Sequence, residues 1–190
     1  VKLNPYFYHV VSEREMDGML EHSNIDIQKL GWEMISNTLY SLKVSEVDKI
    51  KSKTKNKELL ALIEHYLRRN HLSNKNIDAA FRSADKNEIF AALVQTAVRK
   101  EIESVPHIIT LLRDRDVILR SAAIETAGIL NVRELGGYLV DYLGHPELYA
   151  ITWSSLVRMG EGILENLENA FHKTGAPLKV QHRIVSAMIA

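Results

Sequence analysis

Eight histidines, His9, His22, His65, His71, His107, His145, His172 and His182, are the side chains of this 190-residue chain best suited to ligate a metal or carry a proton. No two stand three or four residues apart, so none forms the two-histidine clamp that one helix face offers to zinc. A metal would have to assemble His107, His145 and His172 from separate segments, and scattered surface histidine explains them more simply. With no Cys anywhere, thiolate ligands, cysteine nucleophiles and disulfides are excluded, and the composition is compatible with a cytoplasmic location. Gly160-Glu161-Gly162 lacks both the third glycine and the preceding strand of a dinucleotide-binding turn. Ser154-Ser155 lacks the flanking glycines of a nucleophile elbow. The expectation is a non-enzyme, with no catalytic residue, no metal site and no cofactor.

Charge is the remaining candidate. Lys49, Lys51, Lys53, Lys55 and Lys57 form the strongest charge run, and a two-residue spacing spreads them around a helix or along a loop, as a solvated segment between helices does. The functional alternative is contact with a phosphate or an acidic partner. Against nucleic acid stands the overall balance of 24 Lys+Arg and 24 Asp+Glu, because backbone binding depends on clustered cations. Trp32 and Trp153 have the rings to stack on a base, but each falls in a helix where an aromatic serves the core.

The elements that must position these residues are helices. Nine Gly and 4 Pro are about 7% of the chain, too little punctuation for an all-β sandwich or barrel. The longest apolar run, Ile89 to Val94, is far short of the about 20 residues a membrane span needs, so no membrane insertion is expected of this chain. Helix-start signals recur about every 30 residues, at Asp26, Asn56, Asp85, Asp116, Glu147 and Pro177. Each opens a run with apolar residues at helical spacing. A shorter second helix is expected near 45–54, 73–83, 104–113, 132–143 and 162–173, with Ser45, Ser73 and Ser104 as N-caps and Pro106 in a first turn. Ser12 with Glu15, and Asp85 with Glu88, have the spacing of capping boxes. Helix pairs this short cannot bury their apolar stripes alone, so stacking on neighbours must supply the interior.

Residues 111–128, running from Leu111-Leu112-Arg113-Asp114 through Val117-Ile118-Leu119-Arg120 and Ala122-Ala123 to Ala127-Gly128, resemble a HEAT repeat. Weaker copies run from Leu143 through His145-Pro146 and Ile151-Thr152 to Met159-Gly160, and from Ala176-Pro177 through His182-Arg183 to Ala187. The middle copy has Thr152 where the motif has Arg. The resemblance implies an all-α fold, a right-handed α-α superhelix (a HEAT-like solenoid) of about five to six helix pairs. Residues 1–24 would be an N-terminal capping helix, 25–103 divergent repeats and 104–190 the clearest repeats, in one domain excised from a longer protein. It also implies that Asp114, Arg120 and Arg183 form a ladder between repeats. Small residues at Ala123 and Ser155 should let helices approach, and Gly128 and Gly160 should end first helices in a left-handed conformation.

Arrays of this kind bind partners along the face lined by the second helices. On the fourth such helix Leu135, Leu139 and Leu143 should face the core, leaving Glu134, Tyr138 and Asp141 outward at the i, i+4, i+7 spacing. On the fifth, Leu164, Leu167 and Phe171 should be buried, with Glu165, Asn169 and His172 outward; His107 and Arg113 continue the row on the third. An acidic groove with a tyrosine anchor suits a basic peptide or helix, so the expected role is a protein-binding scaffold with a protein or peptide partner. The alternatives are a nucleic-acid-binding protein of the DNA glycosylase type and a structural spacer of a multidomain membrane or ligand-sensing protein.

Overall fold

The computed structural model describes residues 12–40, 42–70, 76–173, 175 and 177–190. The cap expected at Ser73, the histidines His9 and His71, Ala176 and residues 1–11 of the expected capping helix lie outside the described residues. Among those described there are helices and no strand, and no helix is long and apolar enough to cross a membrane. The chain falls into two compact units, one up to Gln95 and one from Thr96 to Ala190.

The first unit contains α1 (Glu13–Leu20), α2 (Ile25–Ile35), α3 (Val44–Lys53), α4 (Lys57–Asn70), α5 (Ile77–Phe81) and most of α6 (Lys86–Arg99). Its core gathers one side chain or more from each of the first four: Met16, Leu20, Trp32, Val47, Ile63 and Tyr66 among them. The Trp32 and Tyr66 rings meet edge to face at 5.4 Å, and the Tyr66 hydroxyl accepts the Leu42 N–H at 2.7 Å. Burying each such large side chain contributes about 1.5–3 kcal/mol. Arg69 is buried too. Its guanidinium, at the end of α4, donates to the Ser36 carbonyl just past α2 (2.7 Å) and to Asn37 Oδ1 (2.9 Å), and lies 4.1 Å over the Phe90 ring of α6.

The second unit contains α7 (Val105–Leu112), α8 (Val117–Leu130), α9 (Arg133–Val140), α10 (Tyr149–Met159), α11 (Leu164–Phe171) and α12 (Leu178–Met188). Short 3-10 turns precede α7 and α11 and follow α9. Here α8, α10 and α12 touch in succession, as do α7, α9 and α11, and each row packs on the other.

The longer helices start at Ile25, Lys57, Lys86, Val117, Tyr149 and Leu178, spaced 29–32 residues. Four of these starts are fixed by an Asx side chain taking a backbone N–H of the first turn. Asn24 Oδ1 accepts from Asp26, Asn56 Oδ1 from Leu59, Asp85 Oδ1 from Asn87, and Asp116 Oδ1 from both Ile118 and Leu119. α10 has no such cap, and it begins at Tyr149, two residues past the expected Glu147. Ser12 and Glu15 do form a capping box, and Pro106 sits in the first turn of α7. Two expected caps are corrected. Ser45 lies inside α3, where Lys43 takes the cap position and the Glu46 carboxylate receives its N–H at 3.0 Å. Ser104 does stand before α7, but its hydroxyl accepts from Thr96 Oγ1 at 3.3 Å and caps nothing.

Gly128 also departs from expectation. It lies within α8, which ends three residues later with Asn131 in the left-handed conformation at φ 52°. A Cβ at 128 would come within 2.6 Å of Ser155 Cβ and 2.8 Å of Ser155 Cα, so the missing side chain sets how closely α10 approaches α8. Gly160, at φ +62°, does terminate α10 in a conformation that favours glycine.

A candidate partner-binding face on the second unit

The short helices α7, α9 and α11 lie side by side because each buries one aliphatic stripe. Ile108, Leu111 and Leu112 of α7 are buried. Leu135 and Leu139 of α9, with Leu143 in the following 3-10 turn, are fully enclosed as expected. On α11 the stripe is displaced. Leu167 is fully buried and Phe171 half-buried, but Leu164 is 37% exposed, because the 3-10 turn before α11 turns Ile163 inward instead.

The opposite faces carry the expected row. Glu134, Asp141, Glu165, Asn169, His172 and Arg113 are exposed, and His107 and Tyr138 are half-buried. Two contacts stitch the row across helices. The Arg113 guanidinium at the end of α7 lies 5.8 Å over the Tyr138 ring of α9, and Arg133 of α9 is ion-paired with Glu165 of α11. The ring of His172 meets that of Phe171 edge to face. The groove is therefore less acidic than the outward residues alone suggest, since two arginines sit in it and hold a tyrosine face and a carboxylate.

At the C-terminal end of the row a cleft of about 470 Å³ opens. Its apolar lining comes from Val140, Ala170, Pro177, Val180 and Ile184, and Asp141, His145 and Lys173 contribute its charged and polar groups. Behind it, the hydroxyl of Tyr142 bonds the Leu112 carbonyl and so pins the turn after α9 to the end of α7. Burial pushes the Tyr142 hydroxyl up in pKa, against the pull of the nearby Arg120 and Arg113. Arg183 of α12 donates to the Leu143 carbonyl at 2.5 Å and stacks 3.8 Å over the Tyr149 ring, bridging three elements. Asp114 accepts the Asp116 N–H at 2.7 Å, a bond within its own turn.

Sequence reasoning identified the outward row but missed Arg133, Lys173 and Val180, and it weighed His145 only as a metal ligand. Arg133 abuts the row, and its partner Glu165 is 32 positions on, a distance no local periodicity links. The cleft residues come from the ends of elements, where helical spacing stops being a guide. His107, His145 and His172 remain on separate elements, and among the described residues no group of three acidic, His or Cys side chains is arranged to hold a metal ion.

No family model matches the chain, and no curated protein matches it.

Proposed function

We propose that the chain is a HEAT-like α-solenoid segment of five to six helix pairs, a right-handed superhelix that serves as a non-enzymatic protein-interaction module. The support for the repeat is the motif at 111–128 and the 29–32-residue spacing of helix starts. The same reading puts the module in the cytoplasm, where a cysteine-free chain is at home.

The single observation that carries the binding role is the continuity of the α7–α9–α11 row with the apolar cleft at its end. An aliphatic anchor in a cleft beside a polar rim is the arrangement peptide-binding surfaces use. Arg113 and Arg133 are engaged within the face, whereas Glu134 and Asp141 have no ion pair among the described residues. The ligand this favours is a peptide that places an aliphatic side chain in the cleft and a basic residue beside Asp141.

The test is selection of peptides from a displayed random library on the 190-residue chain, followed by anisotropy titration of the selected peptides. Aliphatic-basic sequences are expected, with at least tenfold weaker binding to Tyr138→Ala, Asp141→Asn and Val180→Glu. Peptide binding that ignores all three substitutions, or tight duplex DNA binding that falls steeply with salt, overturns the proposal.

A further inference from the structure

A second groove lies on the first unit. Two clefts, of about 540 and 420 Å³, share Leu20, Glu21 and Ile50, so they form one continuous trough between α1 and α3. Its floor is aliphatic: Leu20 and Leu39 are buried beneath it, and Ile25, Leu42 and Ile50 are half-buried along it. The two walls differ in charge. On the α3 side stand Lys43, Lys49, Lys53 and Lys55 with the single carboxylate of Glu46 among them, all exposed, and on the α1 side Asp17 and Glu21.

What matters is which charges are already satisfied. Asp17 accepts the Tyr40 hydroxyl and Glu46 the Lys43 N–H, neutral donors that fix both carboxylates in place and leave them charged. Elsewhere in this unit Lys51 pairs with Glu64 at 3.6 Å, and Lys29 with Glu58 and Asp26. Lys43, Lys49, Lys53 and Lys55 make no ion pair among the described residues. The groove thus presents an apolar floor beside a wall of four lysines without an ion pair and one carboxylate, a wall that is net cationic. Positions 46, 49, 50 and 53 share one face of α3, while Val47 is locked into the core, so Lys49 and Lys53 are held on a fixed helix; Lys43 stands at its N-cap and Lys55 just past its end.

We infer that this groove docks an acidic amphipathic segment of a partner protein, with leucine-like side chains against Ile25, Leu42 and Ile50 and carboxylates against Lys43, Lys49, Lys53 and Lys55. The charge run noted in the sequence then acts as one wall of a built groove. Rim charges of this kind set orientation and association rate, and the aliphatic floor supplies the contact that slows release. A phosphate alone would use the lysines but not the floor.

The experiment uses the whole chain and three labelled peptides of equal length: a helical peptide with an aliphatic stripe flanked by Glu, the same peptide with Lys for Glu, and oligo-glutamate. The Glu amphipathic peptide is expected to bind at least tenfold tighter than either of the others. Lys49→Glu with Lys53→Glu, two exposed positions, should weaken it at least tenfold while leaving the thermal melt unchanged, and should reverse the preference toward the Lys peptide. Equal binding of oligo-glutamate, or binding indifferent to the charge reversal, overturns the proposal. So does capture of residues 1–11 of the same chain by a photo-crosslinker at position 50, which would make the occupant internal.

Discussion

Arg69 shows what a single buried charge does in this molecule. Its guanidinium reaches a carbonyl beyond α2, the Asn37 side chain and the Phe90 ring of α6, so one residue of α4 binds both flanking long helices. Replacing it with Ala leaves buried acceptors unmatched and a void beside Phe90, and should cost about 2–4 kcal/mol, read as a lower urea midpoint. Arg69→Lys should recover only part of this, because an ammonium lacks the planar fork that serves two acceptors and a ring together. His65, one turn before Arg69, answers to pH. Burial first, then the Arg69 and Arg68 charges, hold its pKa below the usual histidine value of 6.5. The unfolded chain therefore takes up a proton that the folded chain resists, so this group leaves stability unchanged above about pH 6.5 and erodes it as pH falls below that. His65→Gln should flatten the decline in urea midpoint between pH 7 and 5 relative to the parent chain; an identical slope would remove His65 as its source. Neither role was visible in the sequence: the partners of Arg69 stand 21 to 33 positions away, and the shift at His65 comes first from burial, which helical spacing alone does not give.

Helix starts were the most legible elements, because Asn or Asp side chains write them locally: Asn56, Asp85 and Asp116 act where their spacing placed them, and Asn24 acts beside the expected Asp26. Asp116→Ala leaves two first-turn N–H groups, those of Ile118 and Leu119, without their shared acceptor and should destabilise by about 1 kcal/mol. The helix ends and inner contacts were less legible, since they depend on what another helix brings near. Gly128 reads as a terminator in sequence but is an interior contact point against Ser155, and Leu164 reads as core but is displaced outward by the 3-10 turn before it. Gly128→Ala should therefore cost about 1–3 kcal/mol, as overpacking does. Adding Ser155→Gly should recover part of that loss and no more, because the Ser155 Cα would still stand 2.8 Å from the new methyl. Full additivity of the two changes would mean that the helices part without regard to this contact.

At the scale of the whole molecule, each compact unit holds one tryptophan: Trp32 in the first, fully enclosed, and Trp153 in the second, half-buried. Fluorescence of a Trp153→Phe chain reports the first unit and that of a Trp32→Phe chain the second. In the solenoid we propose, where each repeat leans only on its neighbours, Arg69→Ala should lower the midpoint seen by Trp32 more than that seen by Trp153. Equal shifts would show one indivisible cooperative fold. The all-helical class was readable from scarce glycine and proline together with the regular recurrence of helix starts, whereas the clefts were not, because each is made by the ends of several elements. The meeting of Gly128 and Ser155 has a bearing on descent as well. Because the backbone of position 155 as well as its side chain fills the space that a methyl at 128 needs, lineages that keep this approach must keep glycine at 128 and a small residue at 155, and distant kin of this chain should betray themselves by that small pair 27 positions apart, even after the rest of the likeness has faded.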